Sequence, residues 1–238
     1  MSIAHTHINE NKVSLDDPNG EPYAFDSALQ FGEGSTIDLS HSTIEDNRLR
    51  ANIGSSEHTG PSGSAIDINA PATGGPAPTV SHVRITGNTT LVTSEDGQAQ
   101  ASQGGLYNGN TTRRPTLITH SVIGGNRVTA RSAKGSAIAF GGGILNEGRL
   151  MLQYDLIADN HVVATGPEGF ARGGGIWNAR LFGGQPPHLT LVHTRVIGNT
   201  LSASPGLPVE GGGIFSTYPV TLDHSHIAHN VPDQCFGC

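Results

Sequence analysis

An asparagine closes the same short motif seven times along this 238-residue chain, at Asn11, Asn47, Asn88, Asn126, Asn160, Asn199 and Asn230. The intervals are 36, 41, 38, 34, 39 and 31 residues. Self-similarity at that period belongs to stacked coils or blades rather than to a globule of unique topology. Eight residues before each asparagine stand Ile3, Leu39, Val80, Ile118, Leu152, Leu191 and Leu222, and three before it stand Ile8, Ile44, Ile85, Ile123, Ile157, Val196 and Ile227. Two after it come Val13, Leu49, Thr90, Val128, Val162, Leu201 and Pro232. Thr, Ser, Asp and Arg fill most positions between, so the pattern alternates as half-buried strands do.

A second block follows the first six asparagines by 15 to 19 residues, with Leu29, Ile66, Leu106, Ile144, Ile176 and Ile214 as its apolar member. Small residues precede it, among them three Gly-Gly-Gly runs ending at Gly143, Gly175 and Gly213, and Asn69, Asn108, Asn146 or Asn178 follows. Each unit therefore reads as three short strands, L-x-L, I-x-x-N-x-V and G-G-G-I-x-N. Helical periodicity is not sustained anywhere, and 33 Gly, 14 Pro and 14% charged residues disfavour helices.

This pattern resembles right-handed parallel β-helix repeats of the pectate-lyase-like kind. It is also similar to the G-G-A-I and F-x-x-N repeats of the polymorphic outer-membrane protein family. The nearest matches are Gly141-Gly142-Gly143-Ile144-Leu145-Asn146 and Gly173-Gly174-Gly175-Ile176-Trp177-Asn178. F-x-x-N stands here as I-x-x-N or V-x-x-N. The resemblance implies right-handed winding, an all-β solenoid and a secreted or cell-surface location. It also implies a range of roles, from polysaccharide lyases, hydrolases and epimerases to tailspikes and adhesins, and fold alone does not choose among them.

The repeats predict one domain over 1–238 of about seven coils, stacked at about 4.8 Å into a column of roughly 30 Å. The asparagines would form buried amide ladders, since buried polar groups are hydrogen-bonded. Pro-, Gly- and Ser-rich stretches at 54–63, 70–78 and 202–208 read as rim loops. No polar cap or signal peptide is legible before the first repeat. That leads us to expect a piece of a longer solenoid, or an end covered by a partner or by end-to-end or lateral self-association. The net charge of −7, with two lysines and one isolated pair, Arg113-Arg114, excludes a nucleic-acid stripe. No segment is long and apolar enough for a transmembrane helix.

Six residues before the repeat asparagine stand His5, His41, His82, His120, Tyr154, His193 and His224. This is a bend position, where His tolerates left-handed backbone, so a ladder of stacked rings is expected. Were the column buried, its imidazoles would stay neutral and acid would loosen the fold. The residue after the second-block apolar position should face outward: Gln30, Asp67, Tyr107, Leu145, Trp177 and Phe215. Tyr107, Leu145, Trp177 and Phe215 thus form a candidate line for stacking a sugar ring or docking a partner.

Candidate chemistry is sparse. Asp155 and Asp159 sit in one coil with Glu147 just before, and Arg84 and Arg195 share an outward position three coils apart. Neither set gives the paired carboxylates of glycoside hydrolysis or the base and acids of a lyase. Cys235 and Cys238 read as a local disulfide or, with His226 and His229, as a metal site beside Asp223-His224. No cofactor is expected, and a metal ion at that cluster is the one alternative. The function expected from sequence is a secreted or surface binding and scaffolding module for a polysaccharide or protein partner. A carbohydrate-active enzyme and an adhesin stalk are its alternatives.

Overall fold

In the computed structural model, residues 2–17, 25–32, 37–54, 62–69, 76–181 and 185–238 are described. Most of the loops expected at 54–63 and 70–78 lie outside them. The chain is a right-handed, all-β parallel solenoid. Its strands stack into five parallel sheets, seven, seven, six, four and seven strands deep in the order a coil meets them. One coil shows the plan: Thr116–Thr119, Val122–Gly124, Arg127–Ser132, Ser136–Phe140 and Ile144–Asn146 belong to the first through fifth sheets. The regular column counts about five turns, against the seven expected from the asparagines. Among the described residues, the first two repeats supply no strand to the fourth sheet, and the last repeat supplies Val220–Asp223, His226–Ala228 and Cys235–Phe236.

The apolar residues aligned by sequence are vertical neighbours. Leu39, Val80, Ile118, Leu152, Leu191 and Leu222 pair in register down the first sheet. All but Leu222, which is exposed on the last rung, fill a core of Leu, Ile and Val shared by the first, second and fifth sheets. The third and fourth sheets enclose a second, thinner core made largely of alanine, including Ala99, Ala101, Ala130, Ala137, Ala139 and Ala164. Each complete coil carries five strands rather than three: the I-x-x-N-x-V segment divides at the asparagine between the second and third sheets, and the fourth sheet was not expected. The stretch over 202–208 is its turn from Thr200–Ala203 to Val209–Glu210 and not a rim insertion.

Corners are set by left-handed residues. His5, His41, His82, His120, Tyr154, His193 and His224 all have φ between 46° and 59° and turn the chain from the first sheet into the second. Their rings stack rung on rung with centroids 4.8 to 5.1 Å apart. The stack lies on the surface, each ring exposed, not in a buried column. The premise of burial on which acid sensitivity was expected is therefore not met. The Gly-Gly-Gly corner has a steric cause. A Cβ at Gly142 would stand 2.3 Å from the Gly174 carbonyl oxygen of the next rung, and Gly141 has φ +69°.

The asparagine ladder is continuous. The side-chain amide of each donates to the Oδ1 of the next at 2.8 to 3.0 Å, from Asn11 to Asn230. Each Oδ1 also accepts the backbone N–H of the preceding asparagine. Gln234 ends the ladder: its Oε1 accepts both the backbone and side-chain N–H of Asn230. A second ladder runs Asn108, Asn146, Asn178 and Ser216 at 2.7 to 2.8 Å. Asn69 is outside it, because Ile68 holds the position level with Asn108.

A third ladder lies one residue past the ring stack, where hydroxyls of Ser42, Ser121, Thr194 and Ser225 accept backbone N–H groups from the rung before. Val83 leaves a gap in it, and at Asp155 a carboxylate replaces the hydroxyl. The carboxylate is 3% exposed and accepts the N–H groups of Ser121 at 2.7 Å and Gln153 at 2.8 Å. Burial outweighs those two bonds and pushes its pKa from 3.8 to about 7.

Two stability tests follow. Asn160→Ala strands the Asn126 backbone and side-chain donors and the Ile123 carbonyl, which Asn160 serves. At about 1–3 kcal/mol for each buried group left unpaired, urea denaturation should show a loss of at least about 3 kcal/mol. For Asp155, the folded chain holds a proton that the unfolded chain releases between pH 3.8 and about 7. Its contribution to stability therefore falls as pH rises through that window and is flat above it. Asp155→Ser restores the hydroxyl ladder, so its melting temperature relative to wild type should rise from pH 5 to pH 8. A pH-independent difference would contradict this.

Candidate functional site

The outward line of the fifth sheet is the richest surface among the described residues. Register places Gln30, Asp67, Tyr107, Leu145, Trp177 and Phe215 on successive rungs, with Phe236 after them. Strand alternation sends these side chains away from the main core, as expected. The fourth sheet then changes their setting. Its own outward residues, Ile138, Phe140 and Phe170, meet them in the re-entrant corner between the sheets. Leu145, Trp177 and Phe215 are 0%, 5% and 4% exposed, so this upper half is a packed aromatic cluster and not an open platform. Phe140 lies 5.2 Å from Trp177, and Phe215 stacks on the exposed Phe236 at 5.3 Å. The Arg172 guanidinium sits 4.4 Å from the Phe170 ring centre and 4.9 Å from that of Phe215, and pairs with Glu210 at 2.7 Å. These contacts are cation–π interactions over a partly desolvated ring cluster.

The lower half is polar and open. Gln30 is exposed, and Asp67 and Tyr107 are half-buried. Gln30 Nε2 donates to Asp67 Oδ2 at 3.4 Å, while Asp67 Oδ1 is buried with no hydrogen-bond partner. Burial pushes the Asp67 pKa from 3.8 to about 6, against the lowering effect of its bonds to Gln30 and Asn69. The Tyr107 hydroxyl donates to Glu147 Oε2 at 3.0 Å. Burial and the Glu147 charge push that phenol well above its usual range. Glu147 also accepts the Leu181 N–H. Two carboxylates thus flank one tyrosine. Sequence reading missed this group because Glu147 reaches Tyr107 across a rung from two positions past Leu145.

The other candidates disperse. Asp155 lies inside a ladder and Asp159 at a left-handed corner with φ 55°, away from Glu147. Arg84 and Arg195 share a column but are separated by Val122 and Leu156. Cys235 and Cys238 form a disulfide, so neither sulfur is a thiolate ligand for metal. His226 lies on the second sheet beside Arg195, His229 at the next corner, and Cys235 on the fifth sheet beside Ile214. Among the described residues no three His, Cys, Asp or Glu side chains are grouped to hold a metal. His224 Nδ1 and Asp223 Oδ1 are 2.6 Å apart and exposed. Among the described residues no helix is long and apolar enough to cross a membrane. No family model, curated protein or solved structure matches the chain.

The Trp177 indole is a packing element here. Trp177→Ala should lower the melting temperature, at a cost of about 3–5 kcal/mol for a buried aromatic, measurable by differential scanning calorimetry. An unchanged melting temperature would mean that the cluster does not hold the fourth and fifth sheets together.

Proposed function

We propose that this chain is the binding and scaffolding module of a secreted or cell-surface protein, with a polysaccharide as its ligand. The observation that carries the reading is the gradient along the fifth sheet. Packed rings at one end give way to accessible Tyr107, Asp67 and Gln30 at the other. A sugar offers hydroxyls that bond to carboxylate and amide groups, and a C–H face that packs on a phenol ring. The ladders hold these groups at fixed rung spacing, so a ligand would meet a surface already organised. The repeat resemblance supports the extracellular setting.

A specific feature favours a second reading, a carbohydrate-active enzyme. Burial raises the Asp67 pKa to about 6, close to the range that suits a general acid near neutral pH, and its Oδ2 is the oxygen that a substrate could meet. Glu147 supplies a second carboxylate on the other side of Tyr107.

Affinity electrophoresis through gels containing pectin, alginate or xylan separates these readings. Retardation of wild type that falls at least tenfold in affinity in Tyr107→Ala and Asp67→Asn supports binding at this line. Release of reducing ends or unsaturated products, lost in Asp67→Asn, selects the enzyme. Migration unaffected by every polysaccharide, with no product, overturns both.

A further inference from the structure

We infer that the corner between the fifth and first sheets is a binding site for an oxyanion, either the carboxylate or sulfate ester of a larger ligand or a free inorganic anion. A cavity of about 370 Å³ opens there, lined by Thr111, Thr112, Arg113, Arg149, Gln185 and His188. Its volume falls within the range of small-ligand pockets, roughly 300–1,000 Å³, and exceeds what one ion needs.

Three basic side chains converge from three successive rungs. Arg113 sits in the turn before Thr116–Thr119, Arg149 opens Arg149–Gln153, and His188 opens His188–Val192. Arg149 and His188 are direct partners in the parallel ladder. Backbone bonds hold them: the Arg149 N–H donates to the Asn110 carbonyl at 2.7 Å and the His188 N–H to the Gly148 carbonyl at 2.8 Å. The fully buried Asn110 side chain shapes the Arg113 turn, donating to the Arg114 carbonyl and accepting from the Thr112 N–H and hydroxyl.

The electrostatics point the same way. The chain has 13 Lys and Arg against 20 Asp and Glu, yet no acidic side chain is among the residues lining this cavity. None of the ion pairs among the described residues involves Arg113, Arg149 or His188. Glu147, two residues from Arg149, is engaged by the Tyr107 hydroxyl and the Leu181 N–H. Facing basic groups across a ladder repel when both are charged, and an anion between them reverses that sign. The Arg149 Nε is buried and has no hydrogen-bond partner. That atom has no accessible surface, so an anion in the cavity meets the Nη groups of Arg149 rather than its Nε. The Nη1–Nη2 edge of a guanidinium presents two parallel donors, which match the two oxygens of a carboxylate or sulfate. The site stands apart from the fifth-sheet line and does not rest on the sugar reading of that line.

Isothermal titration at constant ionic strength tests it with three probes: sodium sulfate, trigalacturonate and the neutral galactotriose. Both anions should bind wild type and galactotriose should not. Arg113→Ala should weaken anion binding tenfold or more. Arg149→Lys, which keeps the charge and removes the fork, should weaken it comparably with an unchanged melting temperature, while the control Arg127→Ala binds as wild type. Tighter binding of trigalacturonate identifies an acidic chain as the source of the anion, and tighter binding of sulfate identifies a free ion; either upholds the site. No binding of either anion at millimolar concentration, or equal affinity in wild type and both site variants, overturns it.

Discussion

The structure depends on one arrangement, a buried asparagine whose side chain is satisfied by the same residue one rung away. An unpaired primary amide inside a protein is expensive, and a single coil of this chain could not provide enough partners for it. Stacking solves the problem for every coil at once. Each Asn Oδ1 takes two donors from the rung before, while its amide reaches the next rung and a carbonyl of the second sheet. The ladder fixes register, because sliding one coil by one residue would break several bonds and turn its core residues outward. Gln234 terminates the series with a side chain of the same chemistry.

From that constraint the surface follows. Left-handed corners recur at fixed positions, so imidazole rings pile up on one edge and glycines on another. Outward residues become vertical lines whose character changes rung by rung. The fifth-sheet line is apolar at Leu145, Trp177 and Phe215, where Ile138, Phe140 and Phe170 stand beside it, and polar at Gln30 and Asp67, where the described residues contain no fourth-sheet strand, with Tyr107 at the boundary. The boundary between packing surface and accessible surface is thus set by where one short sheet begins. The basic corner arises similarly, from turns of neighbouring coils brought level by the ladder.

What was legible in the sequence is what repeats with a large or chemically distinctive residue. Asn126 over Asn160, Ile118 over Leu152 and His82 over His120 could be read from spacing alone. The fourth sheet could not. Its inward residues are alanines, such as Ala137 and Ala139, and its bulky ones, Ile138 and Phe140, face out, inverting the usual hydrophobic alternation. Because that sheet was invisible, the direction of Trp177 was predicted correctly and its burial was not. Likewise the position of the histidines announced a bend but not whether anything covered it. Asp67, Tyr107 and Glu147 come together through loop geometry that varies between coils, and Gln234 breaks the repeat interval; neither leaves a periodic signal.

The central claim is that residues far apart in sequence are vertical neighbours. His7 and Arg195 are exposed and lie in one column of the second sheet, connected through Thr43, Arg84, Val122 and Leu156. Five rungs at about 4.8 Å put their backbones about 24 Å apart. Spin labels on His7→Cys and Arg195→Cys, measured by pulsed electron–electron resonance, should give one narrow distance distribution near that value plus the label arms. A broad distribution, or one centred beyond about 40 Å, incompatible with that rung spacing, would contradict the stacked column and everything built on it.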